Sequence, residues 1–293
     1  MVRINTIMKI VILGGKGNLG SQLSEELALD HQVFSFDRNN FDVLDQAALK
    51  QALAEVMPEV IINCVAYNAV DRCEDKEGYQ DALALNRDLP GRLADLALEL
   101  EAVLVHYSTD YVFSGLETKR EFSEDDTPNP VNKYGESKFL GELEVQRREA
   151  RGLRYYIIRT SKLFGPRGAS PEAKPSFFDI MLKLSVEKNE VTVVNEELSC
   201  FTYTPDLAAA SARLIVARPA EGVYHLVNEG AVTWYDGARE LFHLAKKEIT
   251  IRAIRSENLA RAARRPKFSV LKNNKLKKMR PYQEALKEYL RSL

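Results

Sequence analysis

The stretch MKIVILGGKGNLG, residues 8–20, decides the fold of this chain. Its first half is an apolar run typical of a buried strand, and its second half leads into residues 19–29, where apolar side chains recur at helical spacing. In such a strand, turn and helix, Gly14 permits a tight turn, Gly17 lets a pyrophosphate approach the backbone, and Gly20 lets the helix pack closely. The amino end of the helix also favours a phosphate electrostatically. We therefore predict a dinucleotide site at this turn.

The second predicted strand, residues 32–36, ends in two residues with opposite implications for the cofactor. Asp37 can accept hydrogen bonds from the adenosine ribose hydroxyls, whereas Arg38 can pair with the 2′-phosphate of NADP. Both NADPH and NADH therefore stay open as cofactors. We expect a modest preference for NADPH, because Asp37 repels the phosphate only in part.

Strands and helices alternate through the following hundred residues. Strands are predicted at 60–64, 102–107 and 155–159, and helices at 46–57, 78–87, 90–100 and from 134. This order predicts an α/β fold, a doubly wound parallel sheet of the Rossmann type with a smaller C-terminal substrate lobe. The polar run 117–132 is long for a connection, and we interpret it as a lid or surface loop.

The predicted domain boundary lies near residue 160, where glycines and prolines cluster soon afterwards. We expect a dinucleotide-binding domain in 1–160 and mainly a substrate-binding lobe in 161–293. Strands near 191–195 and 223–227 could rejoin the first sheet.

Tyr134 and Lys138 form the candidate chemical centre. Four residues apart on a helix, they share a face, and an ammonium can stabilise a phenolate whose pKa is otherwise near ~10. Such a pair alone more often marks an ordinary amphipathic surface. Here, however, the strand 102–107 opens upstream into Ser108 and Thr109, and the carboxyl ends of parallel strands are where functional side chains gather.

Together these segments resemble the extended short-chain dehydrogenase/reductase superfamily and, within it, the dTDP-4-dehydrorhamnose reductase family. The resemblance runs nearly from end to end, and the matching segments are 14–20, 63–71, 108–113, 134–138, 158–161, 224–226 and 265–266. It implies a catalytic set of Thr109, Tyr134 and Lys138, with Ser108 as the rival of Thr109. In that set Tyr134 protonates the carbonyl oxygen, Thr109 adds a hydrogen bond, and Lys138 lowers the pKa of the phenol and holds the nicotinamide ribose.

The same resemblance implies the remaining ligand contacts. The cofactor-binding residues are Gly14, Gly17, Asn18, Leu19, Asp37, Arg38, Asp42, Val43, Cys64, Val65, Ala66, Tyr67, Tyr134 and Lys138. For Asp42 a turn, and for the strand-end residues simple packing, stay open as structural alternatives. The expected substrate-binding residues are Tyr111, Lys162, Glu197 and Arg265.

Two positions in the expected sugar pocket depart from the family pattern. Lys162 follows Arg159-Thr160-Ser161 where the family usually has Trp, and Glu197 lies in a segment where the family has Gln, Gly and Pro before Thr. One interpretation is that Lys162 and Glu197 pair with each other and leave the substrate unchanged. Our hypothesis is that the pocket accepts a related 4-keto sugar nucleotide.

Composition excludes several other classes of function. The chain has 41 basic and 42 acidic residues, so its overall charge predicts neither nucleic acid nor an acidic membrane as a partner. Three cysteines without CxxC spacing and four scattered histidines predict no metal site and fit a reducing cytoplasm. The only apolar run near the N-terminus is too short to span a bilayer.

The resemblance therefore implies an oxidoreductase that uses NADPH or NADH to reduce the 4-keto group of a nucleotide-linked 6-deoxy sugar, most simply dTDP-4-dehydrorhamnose to dTDP-rhamnose. A nucleotide-sugar epimerase or dehydratase of the same superfamily and a cofactor-binding regulatory subunit stay open as alternatives. Besides the nucleotide sugar, the expected partner is a second copy of the chain in a homodimer.

Overall fold

The computed structural model describes residues 7–115, 120–171 and 173–293. In chain order its strands and helices are β1 (Lys9–Leu13), α1 (Asn18–Leu27), β2 (Gln32–Phe36), α2 (Gln46–Val56), β3 (Val60–Asn63), α3 (Lys76–Leu83), α4 (Leu89–Glu99), β4 (Val103–Thr109), α5 (Lys133–Gln146), β5 (Arg154–Thr160), β6 (Leu163–Phe164), α6 (Phe177–Glu187), β7 (Glu190–Val194), β8 (Ser199–Cys200), β9 (Thr202–Tyr203), α7 (Thr204–Ala217), β10 (Gly222–His225), β11 (Ala231–Val232), α8 (Trp234–Leu244), β12 (Thr250–Ile254) and α9 (Tyr282–Ser292).

The central sheet has six parallel strands in the order β10-β5-β4-β3-β1-β2. This confirms the predicted doubly wound parallel sheet. Because β1 pairs with β2 on one side and β3 on the other, the chain reverses its direction of winding at β1, and ligands of such sheets bind beside the carboxyl ends at this point. The glycine turn after β1 and the residues that follow β3, β4 and β5 therefore share one edge.

Both faces of the sheet are covered by apolar helices. On one face α1 and α7 pack together through side chains such as Leu23 and Leu214, and on the other α2 and α4 bury Leu53 and Leu93. The strands between them are buried on both sides, as expected for parallel sheets. This packing fixes the edge from which the site residues project.

The C-terminal lobe has its own aromatic core. Phe164, Phe178, Phe201 and Tyr289 are buried together among α6, α8, α9 and the β7–β12 pair. Of the two segments that could rejoin the first sheet, the one near 225 does so as β10, which pairs with β5. The one near 193 does not, because β7 pairs with β12 inside the lobe.

Two local features refine the predicted elements. The predicted helices at 78–87 and 90–100 join through a π-helical turn, Ala84–Asp88, which brings Asn86 inside. Residues 117–119 of the predicted lid lie outside the described residues. After them Phe122 is buried and stacks on Phe113 at 4.3 Å between ring centroids, so this part of the run is anchored.

No helix among the described residues combines the length and the apolar character that a membrane crossing needs. In the same part of the chain no group of His, Cys, Asp and Glu side chains is arranged to hold a metal ion.

Candidate active site

The glycine turn has the geometry that its sequence predicts. Gly14 lies at φ +77°, and a Cβ at Gly20 would come within 2.2 Å of the Gly14 carbonyl oxygen, so neither position accepts a side chain. Leu19 is buried in the core beside the sheet. Asn18 accepts a hydrogen bond from the Gly168 N–H at 2.9 Å, which ties the turn to the chain that leads into the lobe.

At the end of β2, Asp37 is paired with Lys16. The ammonium lies 2.7 Å from Oδ2, and this hydrogen bond is the main reason why the pKa of Asp37 is lowered. Arg38, next in sequence, is exposed. Lys16 was not among the predicted cofactor-binding residues, although its place between two glycines of the turn was a usable signal. Two cations, not one, therefore lie near the position expected for an adenosine 2′-phosphate.

The other expected adenosine contacts lie at the same edge of the sheet. Asp42 accepts from the Leu44 N–H at 2.9 Å, which agrees with its alternative interpretation as a turn residue. Val43 and Val65 pack against the apolar cluster on the α2 and α4 face, and Cys64 packs against the opposite cluster. Ala66 is half-buried.

Tyr67 is held by a buried amide. Its N–H donates to Asn86 Oδ1 at 2.8 Å, and its carbonyl accepts from Asn86 Nδ2 at 3.1 Å. Asn86 has no exposed surface and donates also to Ser137 on α5 at 2.9 Å. The loop after β3 is thereby fixed to the helix that carries the candidate tyrosine.

Thr109 and Tyr134 meet at the carboxyl edge of the sheet. Thr109 is the last residue of β4, Tyr134 is the second residue of α5, and the Thr109 hydroxyl is close enough to the phenol to lower its pKa. Burial has the larger effect and raises that pKa above its ordinary value. Ser108, the rival of Thr109, is buried, and its hydroxyl has no hydrogen-bond partner among the described residues.

The start of α5 is set by its cap and by a glycine. Asn132 caps the helix by accepting from the Gly135 N–H at 2.8 Å. A Cβ on Gly135 would lie 2.2 Å from the Tyr111 carbonyl oxygen, so only glycine permits this approach. The Tyr111 ring packs edge-on against Tyr134 at 5.8 Å between centroids.

Lys138 is buried one turn along α5. Its Nζ donates to the Tyr107 carbonyl at 2.6 Å, and burial lowers its pKa to about 8. The expected lowering of the Tyr134 pKa by Lys138 is not seen in the chain alone, where the phenol is affected mainly by burial and by Thr109. The field of Lys138 acts instead on Cys64, where burial raises the pKa of the thiol and the Lys138 charge offsets part of that rise.

Arg265 faces the site from the C-terminal segment. Its guanidinium makes two hydrogen bonds to Asp71, at 2.8 and 2.7 Å, and holds the pKa of that carboxyl at about 2. The Arg264 carbonyl accepts from Asn132 Nδ2 at 2.7 Å. The segment is thus tied both to the loop after β3 and to the cap of α5.

Lys162 and Glu197 do not pair through their charges. The Lys162 ammonium donates to the main-chain carbonyls of Glu197 and Val232, at 3.1 and 3.2 Å, and lies 4.2 Å from the centroid of Trp234. The Glu197 carboxylate is bound instead by Arg261, Ser256 and the indole N–H of Trp234. The alternative of a Lys162–Glu197 ion pair is therefore wrong, because Arg261 takes the carboxylate.

A buried carboxyl, Asp110, also lies next to the candidate centre. It accepts from the hydroxyls of Thr109 at 3.2 Å and Ser269 at 2.6 Å, and burial raises its pKa. Asp110 had no assigned role. Its position after Thr109 at the end of an apolar strand was the only signal in the sequence.

Comparison with known proteins shows the family. The family description "RmlD substrate binding domain" matches residues 8–293. The chain belongs to this family. It is 35% identical to a dTDP-4-dehydrorhamnose reductase of Streptomyces griseus over 275 residues, which cover 91% of this chain and 86% of that protein. It is also 32% identical to the spore coat polysaccharide biosynthesis protein SpsK of Bacillus subtilis over 287 residues, 96% of each chain.

A solved structure agrees with these sequence relationships. The dTDP-4-dehydrorhamnose reductase of Bacillus anthracis, in complex with NADP, superposes with a TM-score of 0.89 and 30% identity, covering 98% of this chain and 100% of that one. Family membership thus rests on both sequence and fold.

Proposed function

We propose that the chain reduces the 4-keto group of a nucleotide-linked 6-deoxy sugar with NADPH or NADH, and that dTDP-4-dehydrorhamnose is the first substrate to test. The observation that carries the proposal is that Thr109, Tyr134 and Lys138 lie together at the carboxyl edge of the sheet, the same edge at which the glycine turn follows β1. Family membership supports the same reaction.

The chain's residues fit a dinucleotide. The turn from Gly14 to Gly20 leaves no room for side chains where a pyrophosphate would approach, and the amino end of α1 follows it directly. Lys138 would hold the nicotinamide ribose, and the bound nicotinamide supplies the hydride. The Asp37 charge is offset by Lys16, so Lys16 and Arg38 can favour the 2′-phosphate of NADPH.

Tyr134 is suited to donate a proton. Because burial raises its pKa, the phenol is protonated at neutral pH, as an acid for carbonyl reduction must be. Its proton goes to the carbonyl oxygen, and the Thr109 hydroxyl lies close enough to the phenol to share in the stabilisation of that oxygen. Water reprotonates the phenolate after the product leaves.

Arg265 and Tyr111 form the proposed substrate side of the site. The guanidinium can pair with a diphosphate oxygen if it exchanges one of its bonds to Asp71. Glu197 acts there as an anchor for Arg261 and Trp234, since its oxygens are already bonded. Three free cysteines support a cytoplasmic location, and a homodimer stays a prediction.

The test is NADPH oxidation by purified protein with dTDP-, UDP- and GDP-linked 4-keto-6-deoxy sugars. We expect oxidation with at least one of them, and loss of that activity in Tyr134→Phe. If no sugar is reduced and NAD copurifies through gel filtration, the protein is an epimerase or dehydratase instead. Binding of cofactor without turnover of any of these sugars would favour a regulatory subunit.

A further inference from the structure

The Tyr134 phenol has a hydrogen-bond partner with no assigned role. Its hydroxyl donates to Asn68 Oδ1 at 3.2 Å, on the loop that follows β3. The Thr109 hydroxyl is also close to the phenol. The Tyr134 hydroxyl therefore lies between Thr109, at the end of β4, and the side-chain amide of Asn68. Asn68 itself is exposed.

Asn68 is placed there by a closed ring of hydrogen bonds. The adjacent residue Tyr67 is bonded through both its N–H and its carbonyl to the side chain of Asn86. Asn86 donates to Ser137, and the Ser137 hydroxyl donates to the carbonyl of Tyr134 at 2.8 Å. These hydrogen bonds fix the loop after β3 relative to the first turn of α5. They thereby keep Asn68 close to the Tyr134 phenol.

An amide is the side-chain group that can serve both protonation states of a phenol. In the proposed reduction the carbonyl carbon gains a hydride from the reduced nicotinamide and the carbonyl oxygen gains the Tyr134 proton, which leaves an alcohol, a phenolate and an oxidised nicotinamide. In the chain without substrate, the amide oxygen accepts the single proton of the phenol. When that proton turns to the substrate carbonyl, the amide rotated by half a turn donates an N–H to the phenol oxygen and, after the transfer, to the phenolate.

We propose that Asn68 is a positioning residue for Tyr134, orienting the neutral phenol as a proton donor and stabilising the phenolate that forms. The proposal rests on the proposed reductase function. Asn68 would act on the proton donor and not on the substrate. A carboxylate of nearly the same shape should not replace the amide, because it can only accept hydrogen bonds and its charge repels a phenolate.

The test compares Asn68→Asp with Asn68→Ala in steady-state kinetics with the sugar that wild type reduces. Asn68→Asp should lower kcat by roughly tenfold or more, and more than Asn68→Ala does, with a larger solvent isotope effect because proton transfer becomes slower. The defect of Asn68→Asp should shrink as the pH falls and its carboxyl becomes protonated, since a protonated carboxyl can donate. Asn189→Asp, at an exposed position before β7, is the matched control for added charge and should behave as wild type.

A space-filling role would give the opposite ranking. If Asn68→Asp behaved as wild type while Asn68→Ala were the impaired variant, or if all variants matched wild type, the inference would be overturned. Failure of wild type to reduce any sugar is a separate result, which would refute the proposed function and the inference with it.

Discussion

At the scale of single residues, Tyr134 carries the clearest prediction. Tyr134→Phe removes the hydroxyl and keeps the ring that packs against Tyr111, so the protein should fold and bind cofactor as before. Turnover should fall by roughly 10²-fold or more, because general-acid catalysis is lost. The measurement is kcat alongside cofactor Kd, and turnover close to that of wild type would show that another group donates the proton.

Cofactor choice is also decided by single residues. Arg38→Ala should reduce kcat/KM for NADPH and spare that for NADH, since only NADPH offers a 2′-phosphate. Lys16→Ala should have the larger effect of the two variants and should lower kcat/KM for NADPH by roughly tenfold, because it also leaves the Asp37 carboxylate without its partner. Lys50→Ala, which removes a surface charge paired with Glu99, is the control. Equal losses with both cofactors would mean that Arg38 and Lys16 are structural.

Lys138 predicts a pH dependence of cofactor binding. Its pKa is lowered to about 8, so it is a cation below that pH and loses its charge as the pH rises through it. NADH, which has no 2′-phosphate to titrate, should therefore bind more weakly above about pH 8, while the phenol of Tyr134 stays protonated. Titrations of NADH at a series of pH values give the Kd. Lys138→Met should bind NADH more weakly than wild type, and its Kd should not rise as the pH passes about 8. A wild-type Kd that stays constant through this pH range would argue against the proposed ribose contact.

At the scale of secondary-structure elements, a buried ion pair holds α5 to β5. Arg159 makes hydrogen bonds to both oxygens of Glu142, and both side chains are almost fully buried. Breaking such a pair leaves an uncompensated charge, so Glu142→Gln should lower the free energy of unfolding by about 3–5 kcal/mol. Glu144 lies two residues further along α5, in a more exposed cluster of charges, and Glu144→Gln should lower the free energy of unfolding by about 1 kcal/mol or less. Urea denaturation of both variants measures the difference, and equal effects would show that the Arg159 contact adds nothing special.

The elements also explain which parts of the site could be predicted from the sequence. The glycine turn, the strand that ends at Thr109 and the helix that starts near Tyr134 each have a local pattern, and their common edge follows from parallel pairing. The Asn68 amide has no such pattern, and the place of Lys16 between two glycines does not reveal that it pairs with Asp37. Their roles depend on how two segments far apart in the chain meet, which periodicity does not encode.

In the C-terminal lobe, even less could be predicted from the sequence. The pairing of β7 with β12 depends on a strand that the sequence analysis did not detect, since residues 250–254 alternate weakly and are largely exposed. The Lys162–Glu197 pair was a reasonable alternative from charge alone. Arg261, 64 residues after Glu197, takes that carboxylate instead, and a sequence pattern gives no ranking of such distant partners.

At the scale of the whole molecule, Lys162 joins the sheet edge to the lobe and bears on which sugar is accepted. It lies between β5 and β6, and its ammonium contacts the Trp234 ring of α8 and two main-chain carbonyls of the lobe. We expect Lys162→Trp to change the ranking of kcat/KM among dTDP-, UDP- and GDP-linked 4-keto sugars by roughly tenfold, as a change of pocket chemistry typically does. Lys162→Met separates loss of charge from gain of a ring. If wild type already prefers dTDP-4-dehydrorhamnose and neither variant alters the ranking, the altered-specificity hypothesis should be dropped.

The central claim is net hydride transfer to a sugar carbonyl at the edge where Thr109, Tyr134 and Lys138 meet. Its most direct test is to incubate the protein with dTDP-4-dehydrorhamnose and NADPH carrying deuterium at both positions of the nicotinamide C4, and to analyse the sugar by mass spectrometry and NMR. The account predicts one deuterium at C4 of the product for each NADPH oxidised, and roughly a hundredth as much labelled product or less in Tyr134→Phe over the same interval. Sugar that is unchanged, or converted without deuterium and without net oxidation of NADPH, would contradict it.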